Sequence, residues 1–292
     1  MKEFKSYLKS SLFLLIIVLT INPVQAQGKK KTGILLVTFG TSIPKAQKAF
    51  DNIDELVNKS FANSDIRWAY TSKFIRKKLK RKGISIDSPA EALAKMGEDG
   101  FTHVAVQSLH MIPGLEYDNL VKIVSAFNKM PKGIEVALTG TPLMYKHKDM
   151  ELFAKRILSN LTKERQNIDA VVFMGHGTHH MSNIYYPALQ YYASQIDKDV
   201  YIGTVEGAPM LSDIIPTLKA KKYKRILLVP LMSVAGDHAI NDMSSDEKDS
   251  WKSQLKNEGF EVDCLLKGMA EYDNIVNIWI QHLQETLYKL PR

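Results

Sequence analysis

Short apolar runs alternate with longer amphipathic stretches along most of this chain. The apolar runs are rich in β-branched residues and predict buried strands, whereas the amphipathic stretches have helical periodicity. The predicted strands are 33–39, 66–70, 102–107 and 134–138 in the first half, and 171–174, 200–204, 225–230 and 262–266 in the second. The predicted helices between them include 44–60, 71–82, 184–196, 210–220 and 272–288, with N-terminal caps at 88–91 and 244–247.

Strands that alternate with helices indicate parallel sheets. The two halves also match each other: Phe39-Gly40-Thr41 aligns with His176-Gly177-Thr178, and Leu109–Glu116 aligns with Leu231–His238. We therefore predict an α/β fold of two similar lobes, each a four-stranded parallel sheet flanked by helices, with a ligand cleft between them. The predicted boundaries are 27–165 for the N-terminal lobe and 166–292 for the C-terminal lobe.

The first 26 residues have a different pattern. Lys2, Lys5 and Lys9 precede a short apolar run at 12–21, and Val24-Gln25-Ala26 follows. A basic start, a short apolar run and a small-residue end are typical of a secretory signal peptide. The sequence thus predicts cleavage before Gln27 and a periplasmic protein that is not integral to the membrane, the alternative being an uncleaved anchor.

Composition restricts the partners. The chain is 45% hydrophobic and 24% charged, as in ordinary soluble proteins, and its formal charge of +8 falls to +6 without the net +2 of residues 1–26. That excess suits a polyanionic ligand, but no nucleic-acid motif accompanies it. The basic run 76–82 is interpreted as a solvated helix face. Cys264, the single cysteine, is interpreted as a small buried hydrophobe.

Three residues with metal-binding chemistry follow successive strands of the second half: His176, Glu206 and His238. Carboxyl ends of parallel strands share one edge of a sheet, so these side chains can converge. Two imidazoles and a carboxylate suit a divalent transition metal, and histidine also accepts protons near neutral pH. Each residue alone has a structural alternative, a hydrogen-bonded loop histidine or a helix cap for Glu206.

Other polar residues flank the same predicted edge. Thr41 and Ser42 precede a helix whose N-terminus can bind an anion. His110 and Glu116 lie in the matching loop of the first lobe and can reach the cleft from the opposite side. The neighbouring pair His179-His180 is interpreted as a solvated loop. The chain has no Walker loop, no His-Glu-x-x-His and no Gly-x-Ser-x-Gly.

Several segments resemble those of the class II tetrapyrrole chelatases, and they occur in the same order as in that family. Within the family, the chain resembles the anaerobic sirohydrochlorin cobaltochelatases of the CbiK type. The segments are Leu36–Ser42, Val106–Gly114, Met174–Thr178, Val205–Pro209 and Val234–Ala239. The resemblance implies a chelatase-like fold, insertion of Co²⁺ into sirohydrochlorin for cobalamin biosynthesis, and metal ligation by His176, Glu206 and His238. It also implies that His176 accepts a pyrrole proton.

The export signal departs from this resemblance, because cobalamin synthesis is largely cytoplasmic. An exported iron chelatase, or a carrier of haem or metal without turnover, is therefore the alternative. Co²⁺ is the expected substrate metal, Fe²⁺ stays open, and no organic cofactor is expected beyond haem binding. Sirohydrochlorin and a divalent metal are the expected partners, and a homo-oligomer is left open.

Overall fold

The computed structural model describes residues 30–291. The predicted signal peptide lies outside the described residues. None of the helices found between Lys30 and Pro291 has the length and apolar character needed to cross a bilayer.

Two four-stranded parallel sheets form the framework, as predicted. Their strand orders are the same, β2-β1-β3-β4 and β6-β5-β7-β8. The strands are β1 (Thr32–Thr38), β2 (Asp65–Tyr70), β3 (His103–Ser108), β4 (Val136–Gly140), β5 (Ala170–Gly175), β6 (Val200–Thr204), β7 (Arg225–Leu231) and β8 (Glu261–Cys264). Every residue of β3 and β5 is buried, which explains the continuous apolar pattern of β5.

Nine α-helices of the described residues, from 7 to 17 residues long, cover the sheets. They are α1 (Gln47–Ser60), α2 (Lys73–Lys80), α3 (Pro89–Glu98), α4 (Leu115–Ala126), α5 (His147–Asn160), α6 (Tyr185–Ile196), α7 (Leu211–Ala220), α8 (Trp251–Asn257) and α9 (Asp273–Lys289). The predicted capping box at Ser88 and Glu91 begins α3. The prediction that Ser244–Glu247 caps a helix is wrong: Ser250 is the N-cap of α8, and its side chain accepts from the Ser253 amide.

The core has a central part and two outer parts. On the outer face of the first sheet, α3 and α4 enclose one cluster, and on the outer face of the second sheet α7 and α8 enclose another. The central cluster contains residues of both sheets together with α1, α5, α6 and α9. The two halves therefore share one continuous apolar interior, which keeps their carboxyl edges in a fixed relation.

Two helices exchange sides within this central cluster. α5 is the last helix of the first half, yet its Phe153 and Ile157 line a small cavity together with Phe173 and Leu231 of the second sheet. α9 is the last helix of the second half, yet it packs on β3 and β4 of the first sheet. Each sheet is thus covered by a helix from the other half of the sequence.

Candidate active site

The predicted site residues lie at the carboxyl edge of the second sheet. His176 follows β5, and His238 follows β7, the neighbouring strand in the sheet. Glu206 follows β6, on the other side of β5. The chain leaves β5 toward β6 on one side and later enters β7 on the other, so β5 and β7 flank the topological switch point, where ligands bind in open α/β sheets.

The two histidine rings are in direct contact. Their centroids are 4.5 Å apart, with the ring planes at 87°, an edge-to-face arrangement. A carboxylate oxygen of Glu206 lies 3.9 Å from Nδ1 of His176. All three side chains are partly exposed, with 45%, 53% and 37% of the His176, Glu206 and His238 side chains accessible to solvent. The structure therefore brings the three predicted residues together at a surface that a ligand can reach.

Each imidazole makes one hydrogen bond through Nδ1, and this bond determines which ring nitrogen is available to a metal ion. Nδ1 of His176 lies 2.9 Å from the carbonyl oxygen of Gly177, and Nδ1 of His238 lies 2.5 Å from the carboxylate of Asp242. A carbonyl and a carboxylate only accept, so each Nδ1 carries the proton and donates it. The Nε2 lone pair of both rings is left for a metal ion or a proton.

Backbone contacts bring the His176 and Glu206 loops together. The amide of Glu206 donates to the carbonyl oxygen of His176 over 2.7 Å. Gly177 adopts a φ of +78°, and a Cβ there would lie 2.3 Å from the carbonyl oxygen of Glu206. Glycine is therefore required next to His176, both for the left-handed turn and for the close approach of the second loop.

Sequence reasoning missed the side chain that joins these loops. Asn183 accepts from the amide of Thr178 over 3.1 Å and donates to the carbonyl oxygen of Ala208 over 2.6 Å. Its neighbour on α6, Tyr186, accepts from the amide of Gly177 through its hydroxyl oxygen, and burial raises the pKa of Tyr186. Both residues hold the loop geometry without adding a metal donor.

The first-lobe residues predicted to bind substrate lie at the facing edge. Thr41 and Ser42 are almost completely buried, and Thr41 lies beside Gly236 of the second lobe. Glu116 is partly exposed in the first turn of α4. Nδ1 of His110 is hydrogen-bonded to Ser108, while Nε2 is buried without a hydrogen-bond partner among the described residues. All four substrate-binding assignments stay predictions.

The loop after β5 also bridges the two lobes. Nε2 of His180 lies 3.4 Å from the carboxylate of Asp118 on α4, and Ser182 lies beside Gly114. His179 is exposed between these contacts and the candidate site. The interpretation of His179-His180 as a solvated pair is therefore correct for His179 and wrong for His180, because the first lobe supplies a partner that the local sequence does not reveal.

No three His, Cys, Asp or Glu side chains of residues 30–291 already lie close enough together to hold a metal ion. The two histidine rings are in contact, but the Glu206 carboxylate lies 3.9 Å from Nδ1 of His176, the nitrogen that donates to the Gly177 carbonyl. Because the Glu206 side chain is half exposed, its rotamer can change without disturbing the core.

A family model for cobalt chelatase (CbiK) matches residues 32–288, nearly all of the part of the chain that the structure describes. The chain belongs to the cobalt chelatase (CbiK) family. It is 40% identical over 264 residues to the sirohydrochlorin cobaltochelatase CbiKC of Nitratidesulfovibrio vulgaris, covering 90% of this chain and 93% of that one. It is 34% identical over 259 residues to the sirohydrochlorin cobaltochelatase of Salmonella typhimurium, covering 88% and 97%.

Solved structures confirm the chelatase fold of this family member. The sirohydrochlorin chelatase SirB from Bacillus subtilis, solved in complex with cobalt, superposes with a TM-score of 0.57 at 13% identity, covering 88% of this chain and 95% of that one. CbiX, described as the terminal enzyme of sirohaem biosynthesis in denitrifying bacteria, gives a TM-score of 0.55 at 13% identity, covering 88% and 99%. At this identity, the likeness concerns the fold alone.

Proposed function

We propose that this chain is a sirohydrochlorin cobaltochelatase, which inserts Co²⁺ into the tetrapyrrole with release of both pyrrole protons. The contact between the His176 and His238 rings at the switch point of the second sheet is the observation that carries the proposal. Both relatives named above, the one from Nitratidesulfovibrio vulgaris and the one from Salmonella typhimurium, are cobaltochelatases, and both align over most of their length. A positive net charge favours a polycarboxylate substrate.

In this proposal His176, Glu206 and His238 hold the incoming Co²⁺, each histidine through Nε2. Imidazole and carboxylate ligands suit a divalent first-row metal and leave coordination positions open for the pyrrole nitrogens. The same ligands accept Fe²⁺, so iron is the second metal to test.

We also propose that His176 is the proton acceptor. A single Nε2 lone pair cannot hold Co²⁺ and a proton at the same time. Proton acceptance therefore follows release of the metal: Co²⁺ passes to the macrocycle, the lone pair becomes free, and the ring takes one proton from a pyrrole nitrogen. The second pyrrole proton passes to solvent, which reaches this partly exposed site. The Gly177 carbonyl keeps the proton on Nδ1 throughout and stabilises the imidazolium that forms.

The predicted signal peptide supports export, and we propose a periplasmic location on that basis alone. Export also keeps the second candidate function open, a haem or metal carrier without turnover. A haem carrier needs one or two axial ligands and no carboxylate beside them, so the position of Glu206 favours the chelatase.

The test is an anaerobic absorbance assay with sirohydrochlorin and Co²⁺ or Fe²⁺. His176→Ala is expected to lower the insertion rate by about 10²–10⁴-fold, the usual contribution of a positioned general base. His179→Ala removes an exposed histidine from the same loop and is expected to retain the wild-type rate. Stoichiometric tetrapyrrole or metal binding without turnover by the wild-type protein would favour the carrier, and full activity of His176→Ala would refute the assigned role.

A further inference from the structure

The surface of helix α2 carries a charge that neither the core nor the candidate site explains. Residues 73–82 contain seven cationic side chains and no acidic one. They are Lys73, Arg76, Lys77, Lys78, Lys80, Arg81 and Lys82. Such a run placed on one helix produces a strong local positive potential.

The helix separates its apolar and basic residues onto different faces. Ile75 packs against the central cluster and Leu79 is buried, so this side of α2 faces the protein. Lys73, Lys77 and Arg81 are exposed at successive four-residue intervals, which places them in one row on the opposite side. The basic face of α2, defined as Lys73, Phe74, Lys77, Lys80 and Arg81, is thus directed at solvent.

Ion pairing within the described residues does not account for most of these cations. Among the described residues, Arg76 pairs with Glu91 at 3.3 Å, and no ion pair involves any of the other six. Like charges four residues apart repel each other, and Lys73 occupies the first turn, where the helix dipole disfavours a cation. The helix dipole favours Lys80 and Arg81 at the C-terminal end. It does not favour Lys73, and the repulsion within the row remains, so the row as a whole is not optimised for helix stability.

A large apolar side chain lies among the cations. Phe74 is 70% exposed, although phenylalanine is normally buried, and at helical spacing it borders the row formed by Lys73, Lys77 and Arg81. Ile84, just after the helix, is 49% exposed. An aromatic ring surrounded by cations gains nothing in water, but it matches a bilayer surface, where the ring enters the headgroup region and the cations meet lipid phosphates.

We propose that the basic face of α2 is a docking surface for a lipid bilayer that contains anionic phospholipid. A soluble polyanion or a nucleic acid would use the cations but would leave Phe74 in water, whereas a bilayer uses both. Docking of this kind leaves the fold unchanged and needs no membrane-spanning segment. It also does not depend on the proposed catalytic function.

The decisive test reports on the position of Phe74 itself. In full-length protein, Phe74→Trp is expected to show a blue-shifted tryptophan emission with vesicles of phosphatidylcholine and phosphatidylglycerol, relative to the wild type with its three tryptophans. The matched control is Tyr191→Trp, at a site that is 62% exposed on α6, and its emission is expected not to shift. Equal shifts for the two variants, or none for Phe74→Trp, would overturn the proposal.

A second test separates the clustered charge from net charge. Lys73→Gln/Lys77→Gln/Arg81→Gln is expected to weaken sedimentation with the anionic vesicles by about 100-fold, from the usual contribution of three cations near such a surface. Lys122→Gln/Lys163→Gln/Lys248→Gln removes the same charge from scattered exposed positions and should change binding little. Because residues 1–29 are common to both variants, they cannot cause a difference. Equal losses in the two variants, or DNA binding through the same three cations without a Phe74→Trp shift, would contradict lipid docking.

Discussion

The carboxyl edges of the two sheets have the same topology but different chemistry. Where β1 ends, the first lobe has Phe39 and Gly40, and where β5 ends the second lobe has His176 and Gly177. Both glycines adopt a positive φ, +98° and +78°, so the turns themselves are equivalent. The β3 loop has Glu116 at the position that His238 takes in the β7 loop. The fold therefore offers two equivalent switch points, and side-chain identity equips only one of them with paired imidazoles.

The comparison also shows how the first lobe uses its own loop. His110 is the counterpart of Met232 in the repeat, but its Nε2 atom is buried, and burial lowers its pKa to about 4. Thr41 is buried against the second lobe. The first edge thus packs against the second lobe through Thr41, while the second edge carries the exposed donors.

The largest expected effect comes from replacing the two equivalent residues, His238 and Glu116, by alanine one at a time. His238→Ala removes one proposed ligand and is expected to lower the rate of Co²⁺ insertion by about 10³-fold, in the range for loss of a group that acts only on the reacting atoms. Glu116→Ala at the equivalent position is expected to change KM for sirohydrochlorin and to leave kcat within about threefold. Steady-state kinetics under anaerobic conditions distinguish them, and a similar loss of kcat in both variants would show that the two edges share the chemistry.

The buried histidine predicts a pH dependence of stability that belongs to the first lobe. The pKa of His110 is about 4 in the folded protein and about 6.5 in an unfolded chain, so the unfolded chain binds the extra proton first. The stabilisation is complete above pH 6.5 and is lost as the pH falls toward 4, by up to about 3 kcal/mol.

His110→Met installs the residue that the second lobe has at this position, and it is expected to flatten this part of the profile. Urea unfolding at a series of pH values measures the effect. His179→Met, at an exposed histidine, serves as the control and should retain the acid loss. An unchanged profile in His110→Met would exclude His110 as its source.

The two imidazoles of the second lobe differ in their supporting acceptor. Asp242→Asn replaces the carboxylate behind Nδ1 of His238 with an amide, and is expected to weaken Co²⁺ binding about 10–100-fold, as is usual when a group that orients a ligand is changed. A Co²⁺ titration followed by its visible absorption measures this. Asp237→Asn, at an exposed carboxylate beside His238, is the matched control and should leave Co²⁺ affinity unchanged.

The smallest expected effect concerns the joint between the two site loops. Asn183→Asp loses the donor to the carbonyl oxygen of Ala208 and places a second acceptor 2.6 Å from it. We expect about a tenfold loss in kcat/KM, which corresponds to one broken hydrogen bond in the loop scaffold. Asn160→Asp disturbs an amide pair with Asn274 elsewhere. If that variant lost as much activity at equal stability, Asn183 would have no specific role in the site.

Much of this architecture follows from the sequence because the signals are local. Buried parallel strands have continuous apolar patterns, and the sequence places His176, Glu206 and His238 directly after three of them. The contact of Asp242 with His238 could also have been predicted, since Asp242 follows His238 by four residues, a spacing that places both on one face of a helix. The contacts of Asn183 could not have been predicted, because its partners are backbone groups of Thr178 and Ala208, which only the folded loops bring together. The cap at Ser250 escaped prediction because Ser244 and Glu247 have the same spacing as a true capping box.

Because α5 and α9 each pack on the sheet of the other half, the first half of the chain cannot finish folding before the second half is made. During synthesis the strands of the first sheet are complete by residue 140, yet the helix that covers β3 and β4 begins only at Asp273. Until α9 emerges, β3 and β4 lack the helix that packs on them, and this part of the sheet is open to aggregation or to a chaperone. Late closure of the core keeps the chain unfolded for longer, which suits the export that we propose. The same arrangement makes a nascent chain cut short before α9 unable to complete the cover of the first sheet.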